Sequence, residues 1–185
     1  MPAYSATLAR FHRACAAAGA RYALIGGMAV NAWGIPRNTD DLDVLLDLPA
    51  AAASAFAQAM KAERLAVSTY DLELSFDDGS HVTAFDEAEQ GIHLDLKLAL
   101  TPEERDQVRD AAELQVEGVP LRVARPEETI AFKLHFGSER DLGDARAILV
   151  RQRGRLDEAR LEGFARRLHV EEALARLRED VARGP

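Results

Sequence analysis

Apolar residues recur along this chain with two different periods, and the points where the period changes mark out the elements. Leu8, Phe11 and Cys15 fall three and four residues apart, which predicts an amphipathic helix over residues 5–18 that stops near Gly19. Residues 21–25 read as a short strand. Residues 27–33 read as a helix entered directly from the Gly26-Gly27 turn, and residues 34–40, with Pro36, as a loop. Residues 41–48 alternate as a strand does, and Pro49 opens an alanine-rich helix to about Glu63. Residues 70–76 and 81–85 flank Asp77-Asp78-Gly79, a hairpin signal. Residues 92–100 form a further strand, with a weaker one near 120–124. From Pro126 onward the pattern is helical, with breaks near Gly137, Gly154 and His169. The fold class this order predicts is α/β (α+β): a small mixed β-sheet flanked by helices over residues 1–125, then a helical C-terminal part over 126–185. The two are short enough to pack as one domain.

Composition refines this picture in two ways. With 185 residues, 48% hydrophobic and 29% charged, the chain reads as an ordinary globular protein with one substantial core. The net charge of −8 is unevenly placed: residues 1–125 hold 11 Lys+Arg against 19 Asp+Glu, and residues 126–185 hold 12 of each. An acidic body of this kind argues against broad electrostatic binding of nucleic acid. Arg151, Arg153, Arg155, Arg160, Arg166 and Arg167 read as solvated helix faces paired with Glu and Asp. No apolar run approaches a membrane span, and no basic segment leads into an apolar one at the N-terminus, so the expected location is cytoplasmic. The single cysteine, Cys15, lies on the first helix's apolar stripe and reads as packing.

The candidate chemistry lies on the polar faces of two strands. In one, Leu42, Val44, Leu46 and Leu48 alternate with Asp41, Asp43 and Asp47. In the other, Ile92, Leu94, Leu96 and Leu98 alternate with His93, Asp95 and Lys97. Strands disfavour aspartate, and Asp41, Asp43 and Asp95 on neighbouring strands would repel one another unless a cation lay between them. Asp41 and Asp43, two strand residues apart, should have Cα atoms about 6.5–7 Å apart on one face, close enough to serve one metal pair. The Gly26-Gly27 turn at a helix start would let a triphosphate approach bare backbone N–H groups. Phosphoryl and nucleotidyl transfer need this set: in-line positioning, neutralised phosphate charge and an activated hydroxyl. Asp95 would complete the cage and accept the hydroxyl proton. Gly26-Gly27-Met28-Ala29 lacks the third glycine of a dinucleotide fingerprint, and there is no P-loop lysine pattern.

These residues resemble the nucleotidyltransferase superfamily, with its polymerase-β-like fold, and within it the bacterial branch of AbiEii-type toxins and related small nucleotidyltransferases. That branch writes Gly-Gly-x-Ala, a short gap, then Gly-x-x-Arg-x-Thr-x-Asp-x-Asp. Here stand Gly26-Gly27-Met28-Ala29 and Gly34-Ile35-Pro36-Arg37-Asn38-Thr39-Asp40-Asp41-Leu42-Asp43. The family's third carboxylate matches Leu94-Asp95-Leu96, and a later Pro-Glu, Lys and Arg-Asp segment matches Pro126-Glu127, Lys133 and Arg140-Asp141 with Asp144. Where many superfamily members carry Gly-Ser, Gly27 offers only its N–H.

The resemblance implies an enzyme of EC 2.7.7 type that moves a nucleoside monophosphate from an NTP to a hydroxyl of tRNA, protein or a small molecule, without a membrane. Asp41, Asp43 and Asp95 would be catalytic and would hold Mg²⁺, two ions in all; Gly26, Gly27, Arg37 and Lys133 would bind the nucleotide. A cognate antitoxin or toxin is the implied macromolecular partner. Two alternatives are a non-catalytic binding protein of the same fold and an aminoglycoside-type nucleotidyltransferase. Arg37 can hold a phosphate or anchor the Asp41 loop. Thr39 reads as loop support, and Asp141, three residues after Ser138, as a helix-start cap or a substrate contact. His93 and His135 lack metal-ligand spacing to another histidine and read as ordinary surface or packing residues; Trp33 and Phe132 read as core.

Overall fold

The computed structural model describes residues 2–39, 41–116 and 118–183, and of residues 2 and 3 the backbone alone. Asp40, expected to close the loop before the second strand, lies outside the described residues. The chain begins with α1 (Pro2–Ala18), β1 (Arg21–Leu24), α2 (Gly26–Trp33) and β2 (Leu42–Asp47). A single 3₁₀ turn (Ala50–Ala52) follows Pro49 and leads into α3 (Ala53–Ala62), so the alanine-rich helix starts later than Pro49 suggests. Next come β3 (Leu65–Ala66), α4 (Thr69–Asp78), β4 (Val82–Asp86), β5 (His93–Leu98), α5 (Pro102–Arg109), β6 (Ala112–Val116) and β7 (Val119–Val123). Four helices close the described chain: α6 (Pro126–Phe136), α7 (Glu139–Arg151), α8 (Glu158–Arg167) and α9 (Glu171–Arg183). The breaks expected at Gly137, Gly154 and His169 fall between them. No described helix is long and apolar enough to cross a membrane.

The expected hairpin over residues 70–85 is corrected, because its first arm is helix α4. Ser68 caps that helix by accepting the Asp71 N–H at 3.1 Å, and Gly79 ends it at φ +68°. Tyr70, Leu72, Leu74 and Phe76 alternate like a strand. However, only Leu72 and Phe76, one helical turn apart, pack on the core, while Tyr70 and Leu74 are 72% and 42% exposed.

The strands form one mixed seven-stranded sheet in the order β3-β4-β5-β2-β1-β7-β6. β2 runs parallel to β5 and β1 parallel to β7, and the remaining pairs are antiparallel. The register gives the sheet two chemically distinct faces. Leu42, Val44 and Leu46 lie opposite Leu94, Leu96 and Leu98, and Val82 and Ala84 oppose Leu96 and Leu94; all are buried. Asp86 shares that face and reaches α1, where its carboxylate takes the Thr7 hydroxyl at 2.5 Å and pairs with Arg10. The other face carries Asp43, Leu45, Thr83, Phe85, His93, Asp95 and Lys97. One buried apolar cluster, from Leu8 to Ala124, joins α1, α3 and the sheet, and another, from Ile130 to Leu177 with Val30 of α2, fills the C-terminal helices. Trp33 packs against both and donates its indole N–H to the Ala124 carbonyl at 2.6 Å. Arg160 of α8 pairs with the fully buried Glu128 of α6, which ties these helices together.

Candidate functional site

The polar sheet face gathers its acidic side chains where β2 begins and β5 is joined to it. Asp43 and Asp95 are register partners across the parallel pair β2–β5. Continuing that register by one residue sets Asp41 beside His93. Ligand atoms of Asp41, His93 and Asp95 all lie within 4.8 Å of one another, with Asp41 exposed and the other two half-buried. The histidine Nε2 is 4.0 Å from Asp41 Oδ1. Thr83 of β4, the neighbour of Asp95 on its other side, donates its hydroxyl to Asp95 Oδ1 at 3.1 Å. His93 thus belongs to the cluster, contrary to its reading as an ordinary residue. The signal for it was its position two residues before Asp95 on the same strand face.

Asp43 turns away from this trio toward the glycine turn. A Cβ built on Gly26 would stand 2.0 Å from Asp43 Oδ2, and Gly26 has a left-handed φ of +53°. Gly27 is excluded from carrying a side chain by Thr39, whose Oγ1 would lie 2.2 Å from its Cβ. Thr39 in turn donates to the Asp41 carbonyl at 3.3 Å, the loop support expected of it. Burial, followed by the charge of Asp41, raises the Asp43 carboxyl above its ordinary range, and Asp95 adds to this. A hydrogen bond from the Gly27 N–H and the charge of Lys133 oppose the rise. The donor set fits a divalent cation: hard oxygens of Asp41 and Asp95 converge beside His93, Asp43 adds its charge from the side of the turn, and the set leaves negative charge for an ion to neutralise.

Arg37 and Lys133 meet at α7. The Arg37 guanidinium grips Asp144 with two hydrogen bonds of 2.9 and 2.8 Å, and its third nitrogen donates to the Asn38 carbonyl at 3.2 Å. Asn31 of α2 clasps the Arg37 backbone from both sides, donating to its carbonyl at 2.9 Å and accepting its N–H at 2.8 Å. This arrangement ties the chain at residue 37 to α2 and α7. Lys133 Nζ lies 2.6 Å from Asp141 and 3.3 Å from Asp144. Ser138 caps α7, accepting the Asp141 N–H at 3.1 Å and donating to the Asp141 carboxylate at 2.6 Å. Although burial opposes it, hydrogen bonds and charge from Arg37 and Lys133 hold Asp144 below the usual carboxylate range, and Lys133 and Ser138 do the same for Asp141.

Between this ion network and the carboxylates lies a cavity of about 300 Å³, lined by Gly26, Asp43, Lys97, Thr129, Phe132, Lys133 and Phe136 among others. Gly26, Asp43 and Lys133 all line it. Phe132, expected in the core, is half-buried and lines it, because α6 presents one edge to open space there. His135 is exposed and faces the Leu168 carbonyl, away from the carboxylates.

The fold is shared with solved nucleotidyltransferases. The solution structure of the antibiotic-resistance factor ANT(2'')-Ia is 15% identical, with a TM-score of 0.57 over 97% of this chain and 99% of that one. The crystal structure of ANT(2'')-Ia in complex with adenylyl-2''-tobramycin is 16% identical, covering 89% and 98%, with a TM-score of 0.52. An antigenic nucleotidyltransferase-like protein from Paracoccidioides brasiliensis is 15% identical over 93% of this chain and 90% of that one, with a TM-score of 0.56. No curated protein matches this chain significantly in sequence. A family model described as nucleotidyl transferase AbiEii toxin, type IV toxin–antitoxin system, matches residues 8–181. With nearly its whole length under that match, and with this fold and this clustering of aspartates, the chain belongs to the AbiEii nucleotidyltransferase toxin family and is a nucleotidyltransferase.

Proposed function

We propose that this chain moves a nucleoside monophosphate from an NTP to a hydroxyl acceptor with release of pyrophosphate, in a Mg²⁺-dependent reaction. The observation that carries this reading is the in-register pairing of Asp43 with Asp95, with Asp41 beside them and the side-chain-free Gly26-Gly27 turn against Asp43. Asp41, Asp43 and Asp95 would hold the Mg²⁺, two ions in all, which when bound would neutralise phosphate charge and make the acceptor hydroxyl a better nucleophile. Gly26 and Gly27, free of side chains, let the phosphates approach the positive end of α2, where the Gly27 N–H is hydrogen-bonded to Asp43. Lys133, which lines the same cavity as Asp43, adds a cation for the phosphates, while Arg37 positions the loop through Asp144. Asp95, its carboxylate oriented by Thr83, accepts the hydroxyl proton.

The acceptor is a hydroxyl of tRNA, a partner protein or a small molecule. Among these, the acidic excess of residues 1–125, 19 Asp+Glu against 11 Lys+Arg, favours a cationic small molecule over a polyanion. The family match supports a toxin role with a cognate antitoxin as partner. The test is incubation with each labelled triphosphate, Mg²⁺ and total cell extract, followed by separation of RNA, protein and small molecules. Label should enter one fraction and be lost in Asp41→Ala and Asp43→Ala. Incorporation from none of the triphosphates, or equal incorporation by a protein lacking both carboxylates, overturns the reading.

A further inference from the structure

We propose that His93 is itself a ligand of the cation site, and that its nitrogen makes the Asp41–His93–Asp95 position select a first-row transition ion such as Mn²⁺ over Mg²⁺. This rests on the proposed transfer site for its place in the molecule and adds a ligand that the carboxylate reading does not contain.

Geometry comes first. His93 and Asp95 project from the same face of β5, and the parallel register brings Asp41 alongside His93. The 4.0 Å between His93 Nε2 and Asp41 Oδ1 is too long for a hydrogen bond. Two ligands each about 2.1 Å from one ion stand about 3 Å apart at right angles and about 4.2 Å apart when opposite. Three ligands on one ion include at least two of the closer pairs, so side chains up to 4.8 Å apart close on the ion by roughly 1–2 Å. The Phe85 ring, register partner of His93, lies 6.4 Å from the imidazole centroid to centroid, and Thr83 holds Asp95. Asp43, by contrast, is drawn to the Gly26-Gly27 turn, on the side of Lys133 and the cavity. The acidic face thus divides into an all-oxygen side at Asp43 and a mixed nitrogen–oxygen side at His93.

Chemistry gives the selectivity. Mg²⁺ takes oxygen ligands and parts with its waters reluctantly, whereas imidazole is a good donor to transition ions. One imidazole and two carboxylates leave further positions open for water or substrate oxygens.

The probe is Mn²⁺ alone, added to the full chain and followed by electron paramagnetic resonance. Wild type should bind Mn²⁺ with nitrogen modulation from a directly coordinated imidazole, and that modulation should change isotope when the histidines carry ¹⁵N, a readout that needs no substitution. In His93→Gln the modulation should vanish, and the preference for Mn²⁺ over Mg²⁺ in competition should narrow by about tenfold or more. Mn²⁺ bound without nitrogen modulation, an unchanged preference in His93→Gln, or no Mn²⁺ binding at all each overturns the role of His93. None of these outcomes touches the transfer reading, which fails separately if labelled triphosphates with Mg²⁺ yield no product.

Discussion

The carboxylate of Asp43 occupies the space that a side chain at residue 26 would need: a Cβ on Gly26 would stand 2.0 Å from Asp43 Oδ2. Gly26 also holds φ +53°, so contact and backbone conformation independently require glycine. Gly26→Ala should lose about 1–2 kcal/mol from the left-handed backbone alone, and a chain of this size moves in melting temperature by about 2–4 °C per kcal/mol. It should also push Asp43 off the turn and abolish transfer. Thermal melting beside a transfer assay checks both, and wild-type values in each would contradict the contact.

Asp43→Asn should act in the opposite sense on stability. Burial first, then Asp41 and Asp95, raise the Asp43 carboxyl in the folded chain. Between the unfolded value and that raised value the folded state holds more protons, so stability falls as pH rises through the window and stays lower above it. Removing the charge should raise the metal-free stability at neutral pH by about 0.5–2 kcal/mol, and with it the melting point. The difference from wild type should close as the pH drops below the unfolded value. Mg²⁺ with a triphosphate should raise wild-type melting by mass action and leave the variant unmoved. A variant that melts below wild type at pH 7 would remove the case for clustered repulsion.

Asp144 should behave as the mirror image of Asp43. Burial opposes its charge, yet Arg37 and Lys133 hold it below its ordinary value of 3.8. It therefore contributes stability above that value, which is lost as pH falls from 3.8 through the lower folded value. Asp144→Asn leaves Arg37 and Lys133 short of an acceptor and should cost about 1.5–3 kcal/mol at pH 7 in urea unfolding. The gap should shrink under acid. Because Arg37 fixes the loop that sets Thr39 against Gly27, transfer should fall as well. Equal stability of variant and wild type at pH 7 would make the Arg37–Asp144 pair a bystander.

Much of this arrangement is legible in the sequence because it is written in short-range patterns. The Asp41–Asp43 and His93–Asp95 spacings fix which side chains share a strand face, and Gly26-Gly27 before a helical run fixes the turn. Residues 70–76 read as a strand because Leu72 and Phe76 satisfy a strand's alternation and a helix's i, i+4 spacing alike; the Ser68 cap decides for the helix. Helix α5 had an overlooked signal in Thr101-Pro102-Glu103-Glu104, a complete capping box with proline in the first turn. Thr83 differs in kind. Its role depends on β4 flanking β5, a long-range fact that local periodicity does not carry.

Thr83 gives the last prediction. Its hydroxyl donates to Asp95 Oδ1 at 3.1 Å across the antiparallel pair β4–β5, and as a β-branched residue it suits the strand without help from that bond. Thr83→Val keeps the shape and removes the donor, so stability should stay within about 0.5 kcal/mol of wild type. The Asp95 carboxylate would then be free to rotate, and transfer or metal affinity should fall about 10–100-fold, the usual effect of losing a group that orients a ligand. Thr83→Ser restores the hydroxyl without the methyl and should recover most of the loss. The decisive comparison is between these two variants in both assays. If valine transfers as well as threonine, the bond does not orient Asp95. If serine is as poor as valine, the methyl group's packing is what matters, and Asp95 is positioned by β5 alone.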